Sequence, residues 1–220
     1  GEPTSPSQMG EMMKIGRRGS MNAKITATGT QGHSAYPDRA NNPIVAMVKL
    51  LDKLESHQLD VGTEHFDPST LAITSVDTGN KASNVIPAVT KAAVNIRFND
   101  SHSGSSLVSW LKDEIDTVSA EYGIKFETDF KISGESFITP PGELSDLISE
   151  AVKKELGVTP KLSTTGGTSD ARFIKDMCPV TEFGLVGKTM HAVDEKVEIK
   201  QINQLKEIYY RILEAYFEKT

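Results

Sequence analysis

Two histidines, one carboxylate and two polar turns are the places in this 220-residue chain where residue type and spacing could do chemistry. His33 sits in Thr30-Gln31-Gly32-His33-Ser34-Ala35-Tyr36-Pro37, a turn where glycine lets backbone approach a ligand and an imidazole can donate a hydrogen bond. His191 stands in Gly187-Lys188-Thr189-Met190-His191-Ala192-Val193-Asp194-Glu195. A neutral imidazole there could ligate a metal, with Asp194 or Glu195 ordering the loop, and a surface salt bridge is the plainer alternative. Glu2, from composition alone, reads as a solvated terminal residue. The turns Lys81–Asn84 and Thr165–Asp170 could bind anions through backbone N–H groups, although Gly-rich turns most often only turn. His57, His65 and His102 have polar neighbours and read as solvated surface. Cys178, the single cysteine, lies between Met177 and Val180 and reads as a buried small hydrophobe; it can form no internal disulfide, which fits a reducing cytoplasm.

The elements that must position these residues follow from periodicity. Ser20 to Gly29 reads as a strand. A helix follows with Asn42 as N-cap, Pro43 at its first position, and Ile44, Met47, Val48, Leu51 and Leu54 on its buried face. Thr70 to Thr78 and Ala88 to Asn99 read as neighbouring antiparallel strands. A second helix runs from Ser105 to Tyr122, with Leu107, Trp110, Leu111, Ile115 and Val118 facing inward and Gly123 past its end, and Ile124 to Ile132 is a closing strand. Strand, helix, strand, strand, helix, strand is the ferredoxin-like split βαβ order. Beyond it, a helix from Glu143 to Leu156, short strands at Lys161–Thr164 and Val180–Val186, and a last helix from Ile199 to Phe217 alternate as in an α/β layer. That last helix is expected to bury Ile202, Leu205, Ile208, Ile212 and Leu213. The chain is thus expected to be α/β, with a domain at 20–132 inserted between 1–19 and 133–220, which together form part of a second domain.

Composition narrows the partners. The formal charge of −6 gives no general attraction to nucleic acid or an anionic membrane. No run of about 18 apolar residues suggests a membrane span. An anionic small-molecule substrate would need a local cluster of Arg or Lys. The opening Gly1-Glu2-Pro3-Thr4, in place of a starting Met or signal peptide, leads us to expect a piece of a longer chain.

Taken in order, Gly1-Glu2-Pro3-Thr4, Gly16-Arg17-Arg18-Gly19-Ser20, Gly32-His33-Ser34-Ala35-Tyr36-Pro37, Ser83-Asn84-Val85-Ile86-Pro87, Asn95-Ile96-Arg97-Phe98, Gly166-Gly167-Thr168-Ser169-Asp170-Ala171-Arg172-Phe173 and His191 before Asp194-Glu195 resemble the M20 family of dinuclear zinc aminoacylases and peptidases. The resemblance implies a ferredoxin-like dimerisation or lid domain inserted in part of a zinc-hydrolase catalytic domain. Glu2 would ligate one zinc and His191 the other, with two Zn2+ per active site and Co2+ able to substitute. His33 would reach across a homodimer, formed through the lid domain, to stabilise the oxyanion in the partner's active site. Arg17, Tyr36, Asn84, Arg97 and the turn Gly166, Gly167, Thr168 and Ser169 would hold the substrate, with Arg18 beside them.

The implied reaction is hydrolysis of N-succinyl-LL-2,6-diaminopimelate to succinate and LL-2,6-diaminopimelate, in the cytoplasm of a bacterium making lysine and cell-wall precursors. The family's upstream half, with its His-x-Asp segment, bridging Asp and adjacent Glu pair, has no counterpart here. The chain alone is therefore expected to lack the general base and three metal ligands, and to be inactive without them. Another M20 deacylase, such as acetylornithine deacetylase, and a non-catalytic dimerisation module are the alternatives.

Overall fold

A computed structural model describes residues 1–218 of the chain. It starts with two short strands, β1 (Met12–Lys14) and β2 (Gly16–Arg17). It continues through β3 (Gly19–Thr28), β4 (Gly32–His33), a 3-10 turn at Pro37–Arg39, α1 (Pro43–Ser56), β5 (Thr70–Asp77), β6 (Val85–Ile86), β7 (Val89–Phe98), α2 (Gly104–Tyr122) and β8 (Lys125–Gly134). Last come β9 (Phe137–Ile138), α3 (Glu143–Leu156), β10 (Lys161–Ser163), α4 (Ala171–Ile174) and α5 (Ile199–Phe217). Two units result: Gly1–Arg18 with the segment from Phe137 onward, and Gly19–Ser136.

In the first unit β1 pairs in parallel with β10, and β2 pairs antiparallel with β9. Met13 and Ile15 point into a core completed by Ile148, Ala151 and Val152 of α3, Phe183, and Ile208 of α5. The segment 180–186 is not the strand its apolar run predicts. It makes two isolated bridges, Glu182 to Lys14 and Val186 to Ser5, and no continuous ladder. The expected core stripe of α5 is also corrected. Ile208 alone is fully buried; Leu205 and Ile212 pack partly, and Ile202 and Leu213 are exposed. The helix packs against α3, so only the turns facing α3 are covered. Cys178 is exposed, since the turn after α4 carries it outward instead of into the core.

The second unit is one four-stranded antiparallel sheet in the order β5-β7-β3-β8. With a helix between β3 and β5 and another between β7 and β8, this is the ferredoxin-like arrangement. Period-two alternation decides the buried face: Met21, Ala23, Ile25 and Ala27 of β3 and Ala92, Val94, Ile96 and Phe98 of β7 meet Met47, Leu50 and Leu54 of α1 and Leu107, Leu111 and Ile115 of α2. The Asn42 side chain accepts a hydrogen bond from the Ile44 N–H at 3.0 Å, with Pro43 beginning α1. Ser103 caps α2, and the left-handed Gly123 ends it. On α1 the stripe is rotated from the one predicted: Leu50 is buried and Val48 is 55% exposed. Trp110 is half-buried and stacks on His57 with ring centroids 4.9 Å apart.

A polar knot closes the end of this unit where α2 begins. Asp60 Oδ1 accepts from the Gly62 N–H at 2.7 Å, Asn99 Nδ2 at 2.7 Å and the Ser69 N–H at 3.2 Å. Its Oδ2 faces His102 Nε2 at 3.1 Å, so His102 is paired and not the solvated residue its neighbours suggest. Burial acts to raise the Asp60 pKa, but the hydrogen bonds from Ser69, Gly62 and Asn99 outweigh it and bring the group from 3.8 to about 2. A depressed carboxylate stabilises the fold above its unfolded pKa and loses that contribution as pH falls through the folded value. Asp60→Ala is therefore expected to lower stability by about 2–3 kcal/mol at pH 7. Urea unfolding of both proteins between pH 7 and pH 2 checks this, with the difference expected to shrink once pH drops below 3.8.

Candidate functional site

The start of the chain is laid against the segment leading to His191. The Thr4 N–H donates to the Leu185 carbonyl at 3.1 Å, and the Gly187 N–H to the Ser5 carbonyl at 2.9 Å. Thr4 Oγ1 accepts from the Gly184 N–H at 3.1 Å and donates to the Met12 carbonyl at 2.9 Å. Gly184 is required, because any side chain there would meet the Glu2 carbonyl. This pairing brings Glu2, His191, Lys14, Arg17 and the Gly166–Ser169 turn to the wall of one cleft of about 340 Å³.

His191 has φ 62°, the only positive φ at a non-glycine position among the described residues. Such a conformation costs energy and marks functional sites more often than chance. The loop around it is closed by Thr189, whose Oγ1 donates to the Lys196 carbonyl at 2.8 Å and accepts from its N–H at 3.0 Å. The His191 N–H points to Glu195 Oε2 at 3.4 Å, a loop-ordering contact. Glu2 and His191 offer one oxygen and one nitrogen donor, the types that suit zinc. No group of three or more His, Cys, Asp or Glu that could hold a metal exists among the described residues.

Arg17 is buried and faces Glu182: its Nε donates to Glu182 Oε2 at 2.7 Å and its second terminal nitrogen forms an ion pair with the same oxygen. The remaining terminal nitrogen donates to the Thr165 carbonyl at 3.2 Å, which holds the glycine turn. Gly166, at φ 107°, lies so close that a Cβ would collide with that guanidinium. Lys14 is 6% exposed. Its ammonium donates to Thr165 Oγ1 at 2.8 Å and Ser163 Oγ at 3.2 Å. Burial pushes its pKa down to about 8, helped by the Arg17 charge and opposed by Glu182. Arg18 is half-buried, with its Nε unpartnered.

The other candidates lie in the second unit. β4 pairs with β6, matching Gly32 to Ile86 and His33 to Val85. The Ser34 N–H donates to the Asn84 carbonyl at 3.0 Å, so this ladder brings His33 and Asn84 together. Tyr36 stands beside them with its ring 5.9 Å from that of His33, and the Arg39 guanidinium lies over the Tyr36 ring, 4.8 Å from its centroid. The Ala35 N–H donates to His33 Nδ1 at 3.0 Å. In the neutral imidazole that makes Nδ1 the acceptor and leaves the proton on Nε2, a ready donor. Arg97 is not part of this group. It pairs in register with Ser20 near the far end of β7 and donates from Nε to Asn95 Oδ1 at 3.2 Å. Eight residues of strand separate Arg97 from Val89, about 25 Å at the rise of an antiparallel strand.

Two residues were missed in the sequence, Lys14 of the cleft wall and Glu182, the partner of Arg17. Each is a charged residue inside an apolar run, Met12-Met13-Lys14-Ile15 and Val180-Thr181-Glu182-Phe183, and a buried charge without a partner is too costly for that to be chance.

The peptidase dimerisation domain of the M20 type matches residues 15–123. A succinyl-diaminopimelate desuccinylase of Ruegeria pomeroyi is 67% identical over 217 residues, which is 99% of this chain and 57% of that protein. This chain belongs to the M20 family. One from Cereibacter sphaeroides is 65% identical with the same coverage, so the M20 chain spans little more than half the length of these relatives. Among solved structures, a tripeptidase of Staphylococcus aureus superposes with a TM-score of 0.79 at 21% identity, covering 94% of this chain and 54% of its own. An M20 metallo-carboxypeptidase of Sulfolobus solfataricus gives 0.74 at 13% identity, covering 97% and 61%. At these identities the superpositions establish the fold. Membership of a metallohydrolase family implies a metal cofactor.

The turn supplies a test that needs no substrate. Gly166→Ala puts a Cβ at φ 107° against the Arg17 guanidinium, whereas Gly167 has nothing within 4 Å of its would-be Cβ. Gly166→Ala is expected to destabilise by about 1–3 kcal/mol and Gly167→Ala to stay within about 0.5 kcal/mol of the parent, read by urea unfolding.

Proposed function

We propose that this chain forms the dimerisation domain and part of the catalytic domain of a zinc-dependent enzyme that hydrolyses N-succinyl-LL-2,6-diaminopimelate to succinate and LL-2,6-diaminopimelate. The observation that carries the reading is the cleft. Glu2 and His191, the two donors the family resemblance assigns to zinc, share its wall with Arg17 and the Gly166–Ser169 turn. The naming of relatives 67% and 65% identical supports the substrate.

In this reading Glu2 and His191 would each hold one zinc, which when bound would supply Lewis acidity and a hydroxide nucleophile at neutral pH. Water adds across the amide, the C–N bond breaks, and succinate leaves with the new carboxylate oxygen. The proton passes to the departing amine of diaminopimelate. No other carboxylate or imidazole lines the cleft, so the general base and further ligands come from outside the described residues. His33 donates from Nε2 to the carbonyl oxygen as negative charge grows there, a contribution worth about 10² to 10³ in rate. Tyr36, Asn84, Arg97 and the Gly166–Ser169 turn hold the substrate, and Arg17 acts through the turn it holds.

A homodimer makes this arrangement workable. His33 with Asn84 and Arg97 lie at opposite ends of one sheet, too far apart to grip one small substrate in a single chain, whereas two chains could each offer one end. The sheet edge on the β5 side is suited to pairing. The other edge strand, β8, carries Lys125, Glu127, Asp129 and Lys131, charges that discourage edge association. β5 has no charge before Asp77 and exposes Ile73 and Val76, while α1, packed beside it, exposes Val45 and Val48. The dimer is proposed to form through this face.

Succinate release from N-succinyl-LL-2,6-diaminopimelate, with and without zinc, is to be measured for this chain alone and for the chain joined to the remaining length its relatives carry. Zinc-dependent activity in the longer protein, falling at least about 10²-fold in His33→Ala with zinc content unchanged, is expected. Activity in neither protein, or faster turnover of N-acetylornithine, would remove the assignment. For the dimer, Val76→Lys is expected to shift the chain to monomer in sedimentation or sizing, and a dimer that persists unchanged would reject the β5 face.

A further inference from the structure

We infer that Lys14 is the anchor for a carboxylate of the substrate, the cation of the cleft that makes no ion pair within the fold. The inference rests on the hydrolase reading above.

Three observations lead to it. First, the Arg17 guanidinium is already committed. Two of its nitrogens face one carboxylate oxygen of Glu182 and the third holds the Thr165 carbonyl, so it has little left to offer a ligand. Second, Lys14 is as buried as Arg17 and lines the cleft, yet its ammonium meets only neutral groups: Thr165 Oγ1 at 2.8 Å, Ser163 Oγ at 3.2 Å and Met12 Sδ at 2.9 Å. A thioether is a weak acceptor, and a carboxylate oxygen displaces it at a gain. Third, Ser169 lines the same cleft at 8% exposure, and its buried Oγ has no hydrogen-bond partner. A buried cation that makes no ion pair and a buried hydroxyl without a partner, on the wall of one cleft, are groups that a carboxylate satisfies.

The energetics agree in sign. Burial disfavours the protonated amine, with Arg17 and Lys161 adding repulsion and Glu182 alone opposing it. A fold that keeps an ammonium there sacrifices stability for a charge it does not itself use, and an incoming anion relieves the strain. The substrate carries a carboxylate on its succinyl arm and others on its diaminopimelate arm, and Lys14 serves either by the same chemistry.

The experiment compares the enzyme at the full length of its relatives with Lys14→Met, which keeps the length of the side chain and removes the charge. Three substrates are used: N-succinyl-LL-2,6-diaminopimelate, the N-butyryl analogue lacking the succinyl carboxylate, and N-succinyl-cadaverine lacking the carboxylates of the diamine arm. On the first, kcat/KM is expected to fall by about 10- to 100-fold, mainly through KM, as for loss of a charged hydrogen bond. On one analogue the difference between enzyme and variant should vanish, and that analogue identifies the carboxylate. Lys14→Arg, which restores a cation, should recover part of the loss. Equal losses on all three substrates would make Lys14 a structural residue, and no loss on the first would exclude it from binding; both overturn the inference. Failure of the unsubstituted enzyme on every substrate would instead overturn the desuccinylase reading itself.

Discussion

The pairing of Arg17 with Glu182 is the contact on which the cleft depends. Both side chains are buried, and removing two charges from water is expensive unless their geometry is good and their remaining hydrogen-bonding capacity is met. Arg17 meets it by binding the Thr165 carbonyl, so the same guanidinium that neutralises Glu182 also fixes the entry to the glycine turn. Glu182 in turn is fixed by its bridge to Lys14 through the backbone, where each N–H donates to the other's carbonyl at 2.8 Å. Two apolar residues of similar volume could fill this space with less desolvation, but neither would bind a carbonyl. The pair is explained by the turn it shapes and not by stability.

The second unit solves a different problem, which is to hold loops at both ends of one sheet. Ten-residue strands β3 and β7 pair along their whole length, so the sheet acts as a rigid spacer. The short β4/β6 ladder hangs on one end and carries His33 and Asn84, while Arg97 sits near the other. Exposed side chains on short ladders need local support. His33 has it in the Ala35 N–H that fixes its tautomer, and Tyr36 has it in Arg39 stacked on its ring. A donor held in a single tautomer loses little freedom when it meets a developing oxyanion, which is where preorganisation contributes to rate.

How far the sequence could be read depended on whether a residue's environment was local. The strand, helix, strand, strand, helix, strand order of the second unit was legible because period-two and period-3.6 patterns decide burial directly, and the Asn42-Pro43 and Gly123 signals end helices by local geometry. α5 was misread because periodicity says which side of a helix is apolar but not whether anything covers it. The segment 180–186 was misread because an apolar run does not reveal whether a neighbour pairs with it along its whole length, and here only Glu182 and Val186 are bridged. His102 looked solvated because its partner, Asp60, is 42 residues away in sequence. The candidate site was visible as motifs in order, but the roles of Lys14 and Glu182 depend on contacts spanning about 150 residues, which no local pattern encodes.

The charge of the cleft also runs against that of the chain. A formal charge of −6 means the molecule as a whole repels an anionic substrate. At physiological salt that repulsion is screened beyond about 8 Å. Lys14, Arg17 and Glu2 line the cleft, Arg17 is paired with Glu182, and burial lowers the effective dielectric, so the field of Lys14 is strong at contact range. Recognition built this way gives little long-range steering and much discrimination, because an anion gains only when it is fully seated and desolvated. A ligand lacking the matching carboxylate leaves an ammonium and a hydroxyl buried without a partner, which is costlier than the loss of one favourable contact. The burial that makes Lys14 expensive to the fold is therefore also what would make the cleft selective.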